Sequence, residues 1–349
     1  MPLSEYGLWV ARPVRVSAER AAEDPTSPHI HLFYDDGGGG AFGGARRASI
    51  NVKSQSRISE LVYWHTPDFR HPLTSHLPGL APGFRRIESR PGDLALDYLR
   101  GNLVDFARGR ILPHDVAGAP NDIIDFVMPE LQAAIHRGAT AYLFGEPYDD
   151  HQGIHDIHMN QGSAAQFARY NGVWQDGAVI LHYPFENRFA ALFFAFASQA
   201  VHTDERSGHA LAGSQTFAEL LGEAVEPGRV PPIAEDRRVA IVAALINPVG
   251  SENMPDSIGQ PETVYLLNRS GQGISLAGWS ILNRMDEAHV LSGDVWLAAG
   301  EMCGVTLGQV ALSNQGGVIS LLDPEGIKVD GVSYTAADAA EEGRLVLFR

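Results

Sequence analysis

The stretch NDIIDFVMPELQAAIHRG (121–138) is the clearest helical pattern in the chain, with apolar residues recurring at three- and four-residue spacing. Asn121 or Asp122 stands where a helix cap belongs, and Gly138 follows the last periodic position. Pro129 inside the span marks either a kink or the true first turn. Other apolar segments of the N-terminal part read as strands: ASINVKSQS (48–56), TAYLFGE (140–146) and GAVILHYP (177–184). In the first of these, Asn51 and Lys53 share one face, and Ile50 and Val52 the other. RFAALFFAFASQAVH (188–202) fits a buried strand or a helix, and its apolar run is too short to span a bilayer. The Gly-rich YDDGGGGAFGGARR (34–47) lacks phosphate-loop spacing and reads as the end of a hairpin.

Beyond position 238 the pattern changes. Short β-branched and apolar runs at 239–248, 262–270, 275–284, 302–307, 318–323 and 331–335 are punctuated by Gly, Asn, Asp and Pro, the rhythm of a β-sandwich. The segment EPGRVPPIAED (226–236) carries three prolines and separates the two patterns. Histidine usage divides at the same seam, since thirteen of the fourteen histidines precede position 210. The expected organisation is a β-rich α+β N-terminal domain (1–225), a Pro-rich linker (226–235) and an all-β immunoglobulin-like sandwich (236–349). The motifs VYLLNRSGQGISLAGWSI, LAAGEMCGVTL and LSNQGGVISLLDPEGIKVDGVSYT occur in the order that resembles the lamin-tail domain. That resemblance implies an interaction module that docks a protein partner. Trp279 reads as a core aromatic.

With 349 residues, the chain can bury a core without staples. Its single cysteine excludes an intramolecular disulfide and a multi-thiolate zinc site, so any metal must sit among His, Asp, Glu and Asn. The net charge of −16 opposes an electrostatic grip on nucleic acid, yet leaves room for a nuclease whose cation supplies local positive charge. The first residues show no basic segment followed by an apolar run. The expectation is therefore a cytoplasmic protein without membrane insertion, with non-classical export left open.

Candidate chemistry concentrates in GIHDIHMNQG (153–162), bracketed by glycines and free of proline. Read as one strand, it places Asp156, His158 and Asn160 on one face and His155, Ile157 and Met159 on the other. A carboxylate, an imidazole and an amide on a common side suit a first shell for Mg²⁺, Mn²⁺ or Ca²⁺, or a general base with its orienting partner. The same residue types equally suit an internal hydrogen-bond network. Similar mixtures recur in NGVWQDGAVILHYP, with Trp174, Gln175, Asp176 and His182, and in SQAVHTDERSGH, with His202, Asp204 and His209. Together with LALDYLRGNLVD, FGE, ASINVKSQS and YGLWVARP, these motifs occur in the order that resembles the YukJ-like family of bacterial proteins over roughly residues 1–215. That resemblance implies no activity. The lamin-tail resemblance adds an association with phosphoesterases and nucleases.

Two readings follow. In the first, the protein is a metal-assisted phosphodiesterase or nuclease acting on nucleic acid or another phosphodiester. His158 is then the general base, with Asp156 orienting it or binding the metal; Asn160 and Asp176 are further ligands. His155 and His182 are candidates for the leaving-group acid, and Lys53 or Arg100 for holding phosphate. No organic cofactor is indicated. No phospholipase-D, HNH or G-x-S-x-G signature is present. In the second reading, a non-catalytic protein, exported or injected, binds a small ligand or glycan through Trp174, Gln175 and the histidines.

Overall fold

The computed structural model describes residues 5–53, 61–88, 90–98, 101–118, 120–148, 152–161, 174–201, 215–221, 238–250, 261–293 and 295–348. The chain is strongly β-rich and divides into two compact units. The first comprises 1–69, 76–98 and 104–231, and the second 70–75, 99–103 and 232–349. The linker expected at 226–235 lies outside the described residues. No helix among the described residues is long and apolar enough to cross a membrane.

In the first unit, β1 (Gly7–Ala18) is followed by β2 (His29–Asp35), β3 (Arg46–Asn51), β4 (Leu61–Thr66), β5 (Gly83–Arg86) and β6 (Arg110–Leu112). After helix α1 (Ile123–His136) come β7 (Thr140–Gly145), β8 (Pro147–Tyr148) and β9 (Gly153–Ile154). The pair β10 (Met159–Gln161) and β11 (Trp174–Asp176) precedes β12 (Ala178–Tyr183), β13 (Arg188–Phe196) and a short helix α2 (Phe217–Leu221). The segment that fitted either a strand or a helix is thus β13, central in its sheet. Eleven strands join in the order β6-β4-β13-β12-β7-β1-β2-β3-β9-β8, with β5 also on β1. Every pairing is antiparallel except β3 with β9.

β1 serves two neighbourhoods. Its first residues, Gly7–Val10, pair with β5 on one side and with β7 on the other, whereas Arg12–Ala18 pair with β2. The register shifts between Pro13 and Arg15, where proline has no N–H to give the ladder. Period-two alternation then decides what each face carries. Ile30 and Leu32 of β2 and Ala48 and Ile50 of β3 enter the core. His29, His31, Ser49 and Asn51 therefore share the opposite face. The hairpin between β2 and β3 is closed by the Gly-rich segment, in which Gly37, Gly39, Gly43 and Gly44 all take positive φ.

Helix α1 covers the apolar side with Ile123, Ile124, Val127, Leu131 and Ala134, the spacing of one helical stripe. Its N-cap is Asp122, whose side chain accepts from the Asp125 N–H at 2.9 Å and from the Val116 N–H at 2.7 Å. Pro129 lies inside the helix on its exposed side. Gly138, at φ 64°, follows its end. Because Asp122 satisfies two backbone donors, Asp122→Ala is expected to cost about 1–2 kcal/mol, read as a lower urea midpoint at unchanged slope.

The second unit contains β14 (Val239–Leu245), β15 (Thr263–Asn268), β16 (Ile274–Ser275), β17 (Ser280–Leu282) and β18 (Ala288–Val290). These are followed by β19 (Trp296–Leu297), β20 (Met302–Thr306), β21 (Gly316–Leu322), β22 (Lys328–Thr335) and β23 (Leu345–Leu347). Two antiparallel four-stranded sheets result, β20-β15-β14-β23 and β18-β17-β21-β22, with β16 and β19 as a separate pair. Trp279, Ile241, Leu266, Ile281 and Ile319 lie in their common core. Asn268 is fully buried and donates to the Gln272, Leu297 and Ala298 carbonyls, which pins the turn after β15.

His71, in the short segment that clusters with this unit, is buried. Its Nε2 lies 2.6 Å from the Gly101 carbonyl oxygen, and its Nδ1 accepts from the Leu73 N–H at 3.1 Å. That pairing is made by a neutral ring, one nitrogen donating and the other accepting. Burial pulls its pKa from 6.5 down to about 4, against the bond to Gly101 and with help from Arg284. Between those values the unfolded chain binds a proton that the folded chain refuses. Stability is therefore expected to fall as pH drops from 6.5 towards 4, by up to about 1.4 kcal/mol per pH unit. Urea unfolding across that range should show a flatter profile for His71→Gln.

Candidate metal centre

Three chain segments meet on the polar face of the β2–β3–β9 part of the sheet. β2 contributes His29 and His31, β3 contributes Ser49 and Asn51, and the turn after β9 contributes His155 and Asp156. The stretch expected to form a single strand over 153–162 does not. β9 ends at Ile154, Asp156 adopts φ 56°, and β10 starts only at Met159. The break has a physical cause, because the Ile157 N–H reaches back to the Ser49 carbonyl at 3.0 Å. Asp156 supplies the left-handed residue just before that bond, a conformation Asp tolerates better than most. Gly153 allows the close parallel approach of β9, since a Cβ there would collide with the Arg47 backbone.

The turn brings Asp156 Oδ1 to 2.8 Å from His155 Nδ1 and 3.5 Å from His29 Nε2. Asn51 Nδ2 donates to the same oxygen at 2.9 Å. Ligand atoms of His29, His155 and Asp156 all lie within 4.8 Å of one another. Atoms bonded to a common ion at about 2.0–2.1 Å stand about 3–3.5 Å apart, so the spacing already approaches that of a coordination sphere. The cluster grades from inside to outside: the His29 side chain is 6% exposed, that of His155 37% and that of Asp156 51%. His29 Nε2 is buried without a hydrogen-bond partner and faces the aspartate.

Neighbouring groups hold this set in place. Glu19, just after β1, lies with Oε2 3.7 Å from His29 Nδ1 and 3.5 Å from His31 Nε2. His31 Nδ1 lies 3.1 Å from Ser49 Oγ, and its ring stacks beside His29 at 5.8 Å. A carboxylate behind an imidazole fixes the ring and leaves its far nitrogen free to ligate. Burial alone would raise the pKa of Asp156, but the His155 and Asn51 donors on its carboxylate, with the His29 imidazole close by, outweigh it and hold it well below the usual carboxylate range. The ligand is ionised without help from acid or base. Burial, and next the charge of Arg47, pull the pKa of His31 down to about 4, so that ring is neutral at pH 7.

Of the residues singled out from sequence, the structure brings together His155 and Asp156. His158 is buried with its ring 4.2 Å from that of Phe196, and its backbone carbonyl accepts from the Gly177 N–H. His182 sits on β12, stacked on Phe189 at 4.4 Å, and burial lowers its pKa. Lys53 donates Nζ to the Pro25 carbonyl at 2.9 Å and so anchors a loop. Asn160 pairs with Gln175 and Met159 with Asp176 in the β10–β11 ladder, and Gln161 with Trp174. The side chains of Asn160, Trp174, Gln175 and Asp176 lie outside what is described, as do Arg100, His202, Asp204 and His209 entirely. Sequence reasoning missed His29, His31 and Glu19. The signal was present in HIHLFYD, where His29 and His31 alternate with Ile30 and Leu32.

Fold and cluster together define a β-rich protein with two histidines and an aspartate gathered on the polar face of a sheet. The chain belongs to the family described as "Uncharacterized conserved protein (DUF2278)", whose model matches residues 1–208. It is similar to "Uncharacterized protein YukJ" of Bacillus subtilis (strain 168), with 33% identity over 219 residues, 59% of this chain and 93% of that relative. His29, Asn51, His155 and Asp156 all fall inside the family match, and β14–β23 fall beyond it.

Proposed function

We propose that the first unit is a divalent-metal-dependent hydrolase acting on phosphodiesters, with its ion held by His29, His155 and Asp156. The observation that carries this reading is the convergence of three ligand atoms within 4.8 Å, one of them the partnerless buried Nε2 of His29. Two imidazoles and one carboxylate favour Zn²⁺ or another first-row transition ion over Mg²⁺ and Ca²⁺, which prefer oxygen donors. A bound ion would supply an acidified water and charge stabilisation at the phosphoryl oxygens. The chain's own residues do the rest. Asp156 presents a permanent carboxylate, Asn51 and His155 fix its orientation, and Glu19 steadies His29. His31, set between Ser49 and Glu19, stacks beside His29 and helps hold its ring in place.

The same proposal assigns the second unit as a lamin-tail-like immunoglobulin sandwich that docks a protein partner, joined to a first domain of α+β class near residues 226–235. Its support is the pair of four-stranded antiparallel sheets and the order of the sequence motifs. A cytoplasmic site of action belongs to this reading as well.

The test is hydrolysis of bis(4-nitrophenyl) phosphate by chelator-stripped protein supplied in turn with Zn²⁺, Mn²⁺, Mg²⁺ and Ca²⁺. Turnover restored by a transition ion and abolished in Asp156→Asn is the expected result. Metal binding without turnover on any phosphodiester would contradict the hydrolase reading and leave a binding or structural centre.

A further inference from the structure

Resting on that proposed reading, we infer that Arg47 is the anion-binding residue of the site and holds a phosphate group of the substrate beside the metal cluster. Arg47 lies on β3, two residues before Ser49 and four before Asn51, so alternation puts all three on the polar face. Asn51, which bonds Asp156, stands four residues from Arg47, about 13 Å along the strand, but Arg47 pairs across to Gly153, only two residues before His155. The guanidinium is held over the ring of Phe42 at 4.7 Å and that of Tyr148 at 5.6 Å. Its Nε donates to the Tyr148 hydroxyl at 3.0 Å, and the Tyr148 ring in turn packs against His155 at 5.6 Å. Tyr148 therefore ties the cation mechanically to a cluster residue.

Arg47 is one of several arginines, Arg15, Arg85 and Arg110 among them, that meet no carboxylate among the described residues. Arg12, Arg20, Arg46, Arg90, Arg137 and Arg188 each meet a carboxylate. Arg47 meets none among the described residues; its bonded partner is a neutral phenol. In a chain with sixteen more acidic than basic charges, leaving a half-buried guanidinium without an acid and fixing it between two rings preserves its planar donors for something else. A planar fork of fixed N–H donors matches the oxygens of a phosphate; of the two sequence candidates for this task, Lys53 is spent on a backbone carbonyl and Arg100 lies outside the described residues.

The experiment is calorimetric titration of inorganic phosphate into the wild type, R47K and R47M, each as metal-loaded and as chelator-stripped protein, with metal affinity measured alongside. The wild type should bind phosphate, R47M should bind it roughly 10- to 100-fold more weakly, and R47K should fall between, with metal affinity equal in all three. Tyr148→Phe keeps the ring and removes the acceptor of the Arg47 Nε–H, and should give a smaller loss with the fold intact. Equal phosphate affinity in wild type and R47M, or no phosphate binding by the wild type, would overturn the assignment. If the wild type binds no metal but R47M still loses phosphate in the chelator-stripped arm, the metal reading fails and the anion site stands.

Discussion

His29→Ala, His155→Ala and Asp156→Asn each lower Zn²⁺ affinity by roughly 10²- to 10³-fold relative to the wild type in a competition titration. The magnitude follows from sharing a total of about 10–16 kcal/mol among about four coordination positions, or about 2.5–4 kcal/mol each. Asp156→Asn is the informative member. Asparagine accepts the left-handed backbone that Asp156 adopts at φ 56°, so the turn survives while the charge is lost. Its amide oxygen remains a weak donor, which places this variant at the lower end of the range. Asp156→Ala would confound ligand loss with strain, because alanine pays for that conformation. A set of variants that bind Zn²⁺ as the wild type does would mean that the three side chains form only a hydrogen-bond network.

Trp9→Ala is expected to cost about 3–5 kcal/mol of stability, enough to bring a domain close to unfolding. Trp9 is 1% exposed, packs against Tyr34 at 5.4 Å and Phe84 at 5.1 Å, and belongs to the core beneath α1. Its Nε1 also donates to Asp36 Oδ2 at 2.8 Å, the oxygen that pairs with Arg46. Removal thus opens a cavity and takes a donor from a largely buried carboxylate. Trp9→Phe keeps most of the packing and isolates the second effect, about 1–3 kcal/mol. Both are read from urea midpoints. Because Trp9 lies on the strand that pairs with β2, Trp9→Ala should also loosen Zn²⁺ binding, whereas Trp9→Phe should not.

Much of this architecture is legible locally. The Asp122 cap, the apolar stripe of α1 and the stop at Gly138 are written in neighbouring residues, and the structure follows them. Strands β3, β7, β12 and β21 likewise follow their own alternation or apolar runs. The candidate centre was half legible. His155 and Asp156 stand out for composition, but their strand was expected to continue, and that put His158 and Asn160 on the face of Asp156. The turn depends on a bond from Ile157 to Ser49, a partner remote in sequence, and no local pattern reveals it. His29 was missed for the same reason. Its alternation with Ile30 and Leu32 marks a polar strand face, yet only the parallel β3–β9 pairing shows that Asp156 comes to it. Arg47 lay inside a motif read as a hairpin end, and its stacking on Phe42 and Tyr148 is likewise a tertiary fact.

The central claim is that His29, His155 and Asp156 bind one ion. Anomalous diffraction at the zinc edge, from crystals of the full chain loaded with one equivalent of Zn²⁺, addresses it directly. A single strong peak about 2.0–2.2 Å from His29 Nε2, a nitrogen of His155 and a carboxylate oxygen of Asp156 is the predicted result. A peak at other residues, or none at this cluster while Asp156 keeps its bonds to His155 and Asn51, would contradict it.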